Sequence, residues 1–452
     1  MWRAARYAGA LCGLLLCVSA PGQEPAAGPA DGAAEAALPQ PPEPLALSPE
    51  TAAALAVRRS IQLQVDEEGI RAAEASLRTT GALAALKTQY RGTLTVSGPG
   101  PSLPPEFSSF FREVSETHQL GAQKTLWAGG QIRAQNELAA AGVESARTAC
   151  PVDRRTTALR AREAVYAVLR DEQLVTVALR QYAALSEHLR NSEKRYREGL
   201  IAFYEVVQAQ VQVEAQTGQV TQGQLKVEDS KTTLRSELLV SQDTPVLVEE
   251  GPPPDVPTQS PQEAFATALS RRPEIPQAEA NVQLAEASIA LAERAERPTV
   301  DLSAALQKQT ASFISPALAY QVMLTITKPL DDGGASEGRL AQAQAQLAQA
   351  QKRVEAIRTQ VEAEIATQLH ATDSARSRLR TAYEQERQAR ELARISRLRY
   401  DNDMGLGREV IDAEASLAQA QQAIIQAEYD LNLGLARLQS AMGLDPLQEE
   451  AP

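Results

Sequence analysis

The stretch PTVDLSAALQKQTASFISPALAYQVMLTITKPLDDGG, residues 298–334, contains two runs in which apolar and polar side chains alternate. A period of two predicts β-strands with one apolar face. Each run has the length, about ten residues, of a strand that crosses a membrane in a β-barrel. A water-exposed antiparallel hairpin gives the same alternation, so both interpretations stay open here. The apolar positions are Val300, Leu302, Ala304 and Leu306, then Leu318, Tyr320, Val322, Leu324 and Ile326.

After Gly333 and Gly334 the pattern becomes helical and continues to about Tyr400. Apolar residues recur every seven positions through this segment, and a helix of that size is roughly 100 Å long. No compact domain needs such a helix. A closing helix follows and ends near Gly443, with an apolar stripe formed by Ala413, Leu417, Ala420, Ile424, Ala427 and Leu431.

A further helix precedes the strands and begins at Pro261, behind Ser260 as its N-cap. It carries two apolar stripes, one through Ile275 and Ala278 and the other through Ala280 and Leu284. Two stripes predict a helix with a neighbour on each side, as in a sheet or barrel of helices.

The chain is an internal duplication, because several landmarks recur 204 residues apart. TLWAGG at 125–130 matches PLDDGG at 329–334, and Arg195-Tyr196 matches Arg399-Tyr400. We predict a first repeat at 47–242, a proline-rich connector at 243–260 and a second repeat at 261–445. The first repeat has more polar strands, near 89–98 and 114–126. Pro151 predicts a bend or a new helix start within its long helix.

The N-terminus has the layout of a signal peptide, predicted at 1–22, with Arg3 and Arg6 before an apolar run. A flexible Pro/Ala-rich segment at 23–46 and a C-terminal tail at 446–452 flank the repeats. Cys12 and Cys17 each follow a leucine, which disfavours lipid attachment. The mature chain then keeps only Cys150, so no intrachain disulfide is expected.

Composition argues against several classes of function. The net charge of -12 disfavours nucleic-acid binding, and aromatics at 4% favour long helices packed through small side chains. We find no nucleophile elbow, phosphate-binding loop or metal-ligand spacing, so we expect no enzyme, cofactor or metal. The histidines lie in different elements, which favours structural or exposed roles. Asp331 and Asp332 are better explained by a loop than by a cation.

The stretch RYDNDMGLGREVIDAEA, residues 399–415, places Glu409 and Asp412 three positions apart on one helix face. Acids at a helix start complement the helix dipole, which is one explanation. A catalytic pair would need a pocket and a partner. A ring of acids at a pore mouth needs only rotational symmetry, which is the interpretation we favour.

The duplicated halves, PLDDGG and the turn motifs RYREGLIAFYEVVQAQ and RYDNDMGLGREVIDAEA together resemble the outer-membrane efflux protein (TolC-like) family. The resemblance covers about residues 47–445. It implies a mainly α fold with a small β part. In this family, duplicated helical hairpins form an α-barrel, and four strands per subunit enter a shared trimeric 12-stranded β-barrel.

The resemblance also implies site residues. Glu409, Asp412 and Glu205 would constrict the periplasmic entrance, and Tyr400 would help to tie the hairpins shut. Tyr196 and Gly199 match the family pattern Y-x-x-G in the first turn. The second turn has Asp403 in place of that glycine, so Arg408 is a weaker match to the gating arginine.

The implied function is a passive exit duct in the outer membrane with a long periplasmic extension, for efflux or type I secretion. The protein would form a homotrimer in contact with outer-membrane lipid. Its partners would be a periplasmic adaptor and an inner-membrane pump of the RND, ABC or MFS type. The main alternative is a structural or adhesive coiled-coil protein, which would not need strand pairs at equivalent points of both halves. An adaptor protein or a hydrolase is less well supported, and the sequence does not identify the cargo.

Overall fold

The computed structural model describes residues 45–97, 113–256, 260–311 and 314–444. The predicted signal peptide, residues 23–44 of the lead-in and the tail at 446–452 lie outside these ranges. In chain order the elements are β1 (Leu45–Leu47), α1 (Pro49–Arg59), α2 (Ile61–Gly81), β2 (Lys87–Ser97), β3 (Glu113–Trp127), α3 (Gln131–Arg197), α4 (Phe203–Glu237), β4 (Val246–Val248), α5 (Pro261–Arg271), α6 (Glu274–Ala292), β5 (Thr299–Ala311), β6 (Ile314–Thr327), α7 (Ala335–Asp401) and α8 (Gly407–Ala441).

The two halves have matching elements. Helices α3 and α7 each contain 67 residues, and α4 and α8 each contain 35. Each half opens on a serine N-cap followed by proline, at Ser48 and Ser260, as the residue types require. Each long helix starts after two left-handed glycines, Gly129–Gly130 and Gly333–Gly334.

Two details differ from the sequence predictions. Helix α3 is continuous through Pro151, so of the two predicted outcomes, a bend or a new helix start, the new start is wrong. Proline removes one backbone hydrogen bond, and the packing of α3 against α2 and α6 maintains the helix on both sides of it. Leu45 and Ala46, assigned to the flexible lead-in, lie in β1, which pairs in parallel with β4 of the connector.

The helices pack as the two stripes of α6 predict, because α6 contacts α3 on one side and α7 on the other. Helix α3 also contacts α1, α2 and α8. Two apolar cores join these elements, one around Val165, Val168 and Leu234 and one around Val361, Ile365 and Met442. Among the described residues, no helix has both the length and the apolar character needed to cross a membrane.

The four long strands form one antiparallel sheet in the order β2-β3-β5-β6. Its register aligns Tyr90, Leu120, Leu306 and Tyr320 in a single row across the sheet. The next row on the same face contains Thr88, Ala122, Ala304 and Val322. The row between these two lies on the opposite face and contains Gln89, Gly121, Ala305 and Gln321. The sheet therefore has one mainly apolar face and one polar face.

Candidate functional site

The two long hairpins end in turns that have the same backbone structure. In the first turn Gly199 N–H donates to Tyr196 O and Leu200 N–H donates to Arg195 O. In the second turn Asp403 and Met404 donate to the equivalent carbonyls of Tyr400 and Arg399. Both are Schellman caps, in which one residue must take a left-handed conformation.

Gly199 fills the left-handed position in the first turn at φ 76°, and Asp403 fills it in the second at φ 60°. This confirms the alignment of Asp403 with the missing glycine. A side chain in this region is strained, although Asp tolerates it better than most residues do. The aspartate also gains a partner that glycine could not have, because its carboxylate forms an ion pair with Arg195 of the first hairpin.

Arg195 connects the two hairpins through Tyr400. Its Nη1 donates to the Tyr400 carbonyl at 2.9 Å, and its guanidinium lies 4.6 Å from the centre of the Tyr400 ring. The side chain of Arg195 is 13% exposed. One arginine thus contacts the backbone, the ring and the left-handed aspartate of the second turn.

Tyr400 itself is buried between α3 and α8. Its hydroxyl shares a hydrogen bond with Ser192 Oγ at 3.2 Å, and its ring lies 5.1 Å from that of His188. By contrast, Tyr196 at the equivalent place in the first repeat is 44% exposed and packs on Phe203. Of the two predicted tyrosines, Tyr400 is therefore buried in the contact between the hairpins, and Tyr196 is exposed.

Gly407, the first residue of α8, lies where side chains of the first hairpin meet Tyr400. A Cβ at this position would lie 3.3 Å from Glu205 Oε2, 3.4 Å from Tyr400 Cε2 and 3.5 Å from His188 Nε2. The absence of a side chain allows these three groups to converge. Burial lowers the pKa of His188, and the carboxylates of Glu414 and Asp401 oppose that effect.

The three candidate acids occupy different surroundings. Glu205 lies against Gly407, in the contact between the hairpins. Glu409 Oε2 is 3.7 Å from Arg399 Nη1. Asp412 Oδ2 is 3.6 Å from Arg408 Nε, and the side chains of Asp412 and Arg408 are both well exposed. Glu409 and Asp412 share the first turns of α8 as predicted, and each has its own arginine.

Sequence reasoning missed Arg195, Ser192 and His188 as parts of this contact. The Arg-Tyr pairs of the two repeats were visible in the sequence, but they did not show which arginine holds which tyrosine. His188 was assigned a structural or exposed role, and its burial against Tyr400 fits the structural one. Its position in the helix sequence gave no sign of that neighbour.

The acids of the strand-to-helix turn have a local role. Asp331 Oδ1 accepts from Gly333 N at 2.9 Å, and Asp332 Oδ2 accepts from Ser336 N at 2.8 Å. These bonds complete the turn before α7. Within the described ranges, no group of three or more His, Cys, Asp or Glu side chains is arranged to hold a metal ion.

The arrangement of helices and strands is found in solved structures of outer-membrane channels. The outer membrane protein VceC of Vibrio cholerae matches 88% of this chain and 97% of its own, with a TM-score of 0.72 and 21% identity. The CmeC outer membrane channel of Campylobacter jejuni matches 87% of this chain and 85% of its own, with a TM-score of 0.73 and 16% identity. The chain therefore has the fold of the outer-membrane channels.

The second repeat carries the family relationship. Residues 265–444 match the model of the family described as outer membrane efflux protein, in agreement with the resemblance found in the sequence. Protein CyaE of Bordetella pertussis (strain Tohama I) is 31% identical over 187 residues, which is 41% of this chain. The match spans 40% of the length of that relative.

Proposed function

We propose that this protein is a passive exit duct of the outer membrane, with a sheet in the lipid and helices in the periplasm. The observation that carries the proposal is the apolar row across the sheet. Tyr90, Leu120, Leu306 and Tyr320 stay 44–84% exposed in the single chain. Such a continuous apolar face, backed by a polar face, suits strands between lipid and a water-filled lumen.

The edges of the sheet support a shared barrel. Strands β2 and β6 each pair on one side only within the described chain, and an open edge invites pairing with another chain. Three copies would join β6 of one to β2 of the next and close a sheet of twelve strands. We therefore propose a homotrimer built from repeats 47–242 and 261–445.

The paired turns would form the periplasmic entrance. Rotational symmetry would repeat Glu409 and Asp412 three times around the pore, with Glu205 on the neighbouring hairpin. Such acids favour cations over anions, so we propose a cation-selective constriction held shut by the Arg195–Tyr400 contact. Arg408 would act on Asp412, not across the hairpins, because the carboxylate 3.6 Å from its Nε belongs to Asp412 on its own helix.

The partners of the duct belong to the same proposal. Energy for export would come from an inner-membrane pump of the RND, ABC or MFS type, joined to the duct by a periplasmic adaptor. The turns expose Leu200, Phe203 and Tyr204 in one hairpin and Met404 and Leu406 in the other. These apolar side chains at the hairpin ends offer a surface to the adaptor.

Two neighbouring residues of β6 test the placement of the sheet. Val322 belongs to the apolar face and Gln321 to the polar face, and both are exposed in the single chain. In lipid, Val322→Lys should destabilise the trimer by about 2–4 kcal/mol, while Gln321→Lys should have little effect. The measurement is the temperature at which the trimer dissociates in detergent extracts of outer membranes.

Equal small effects of the two substitutions would mean that both faces meet water. A soluble monomer in the periplasmic fraction would favour the structural or adhesive coiled-coil alternative. A heat-modifiable trimer that conducts ions in planar bilayers is the result that the duct requires.

A further inference from the structure

We infer that Lys308 on β5 binds a phosphate of the glycolipid headgroups in the outer leaflet, an inference that rests on the proposed membrane placement of the sheet. The evidence is the distribution of charge on the apolar face. Lys308 lies opposite His118 on β3 and opposite Leu318 on β6. This row is next to the row of Tyr90 and Tyr320, on the side of the β2–β3 and β5–β6 connections.

The position of this row along the strands corresponds to a membrane interface. Eight residues separate Lys308 from Val300, at the helix end of the same strand, which is about 26 Å along a strand. A strand that crosses an outer-membrane barrel is tilted and needs about 9–11 residues, so Val300 and Lys308, the ends of a nine-residue segment, lie near the two membrane interfaces. The helices begin beyond the Val300 end, so the Lys308 end faces the outer leaflet if the helices are periplasmic.

Three other polar side chains at this end, those of Tyr90, His118 and Glu116, are already paired with each other. His118 Nδ1 and Tyr90 Oη are 2.7 Å apart, and His118 Nε2 lies 3.2 Å from Glu116 Oε1. The Glu116 carboxylate is thus engaged by the imidazole. Lys308 is exposed and has no carboxylate within ion-pair distance among the described residues.

An exposed ammonium at the edge of an apolar band extends towards the headgroup layer, where phosphate is the available anion. Tyr320, in the adjacent row on the neighbouring strand β6, places its ring at the same interface and its hydroxyl near the headgroups. Lys308, with Tyr320 beside it on β6, therefore forms a site for the phosphate of a lipid, three times per trimer.

Lys124 is the matched control. It lies on the same face, in the row of Leu302 and Leu324, towards the helix end of the sheet. Lys308→Gln and Lys124→Gln remove the same charge at the two ends of the band. The glutamine keeps a polar side chain of similar length, so neither substitution is expected to prevent trimer formation.

The trimer is incubated in detergent with diphosphoryl lipid A, and the bound lipid is counted by native mass spectrometry. We expect Lys308→Gln to weaken binding about five-fold per site, and Lys124→Gln to leave it unchanged. Wild-type protein should bind lipid A from which the phosphates have been removed as weakly as the Lys308→Gln variant does.

Wild-type affinity in the Lys308→Gln variant, or an equal loss in the Lys124→Gln variant, would overturn the assignment. Displacement of lipid A by millimolar inorganic phosphate would also overturn it, because the site would then hold a soluble anion. If the trimer inserts into membranes and conducts ions but gives one of these results, the inference about Lys308 fails while the proposed duct stands.

Discussion

Replacement of Arg195 by alanine tests the contact between the two hairpins. The arginine donates a charge-assisted hydrogen bond to the Tyr400 carbonyl at 2.9 Å, which contributes about 1.5–3 kcal/mol. Its stacking on the Tyr400 ring adds about 0.5–2 kcal/mol. The ion pair with Asp403 adds at most about 1 kcal/mol, because the Asp403 side chain is 68% exposed.

These contributions do not add fully, since Arg195 Nε is buried and has no hydrogen-bond partner among the described residues. We therefore expect Arg195→Ala to destabilise the second turn by about 3 kcal/mol, on the order of 100-fold in its opening equilibrium. The amides of Asp403 and Met404 report this opening, because both are hydrogen-bonded only when the turn is closed. Hydrogen exchange at these two amides is the assay.

Arg399→Ala is the internal control, because Arg399 occupies the equivalent position in the second repeat. Its side chain is 52% exposed, its contact with Met404 O is 3.3 Å, and Glu409 is 3.7 Å away. We expect its exchange effect to be less than about five-fold. If Arg195→Ala changes protection no more than Arg399→Ala does, the Arg195 contact does not hold the hairpins together.

Three further predictions concern the same turns. Burial lowers the pKa of His188, so the stability that its neutral form contributes is present above about pH 6.5 and is lost as the pH falls below that value. Hydrogen exchange at the Met404 amide, corrected for intrinsic rates, should therefore become faster on acidification. The His188→Gln variant should not show this pH dependence. Gly407→Ala should destabilise the turn by about 1 kcal/mol, because the added methyl group crowds Glu205 and Tyr400. Gly69→Ala, in the open middle of α2, should stabilise the folded protein by about 0.5–1 kcal/mol. Thermal unfolding of the two variants is the measurement. Glu409→Lys with Asp412→Lys should reverse the cation preference in planar bilayers, and unchanged conductance and selectivity would exclude the acid ring.

The helical part of the fold was predictable because its signals are local. Heptad spacing defines α7, glycine pairs define where α3 and α7 begin, and Ser-Pro caps define α1 and α5. Pro151 was misleading for the same reason, since its local preference to break a helix is outweighed by contacts with neighbouring helices. The sheet was predictable in outline, but its strand order and the row of Tyr90 with Tyr320 required the register.

The sequence by itself determined the duplication, the element types and the similarity of the two turns, because periodicity and turn chemistry act over a few residues. Only the tertiary structure decided that Tyr400 is buried while Tyr196 is exposed, and that Arg195 reaches across to Asp403. Duplicated segments carry nearly identical local signals. Contacts between the repeats make them different, and those contacts join residues about 200 positions apart that no local pattern connects.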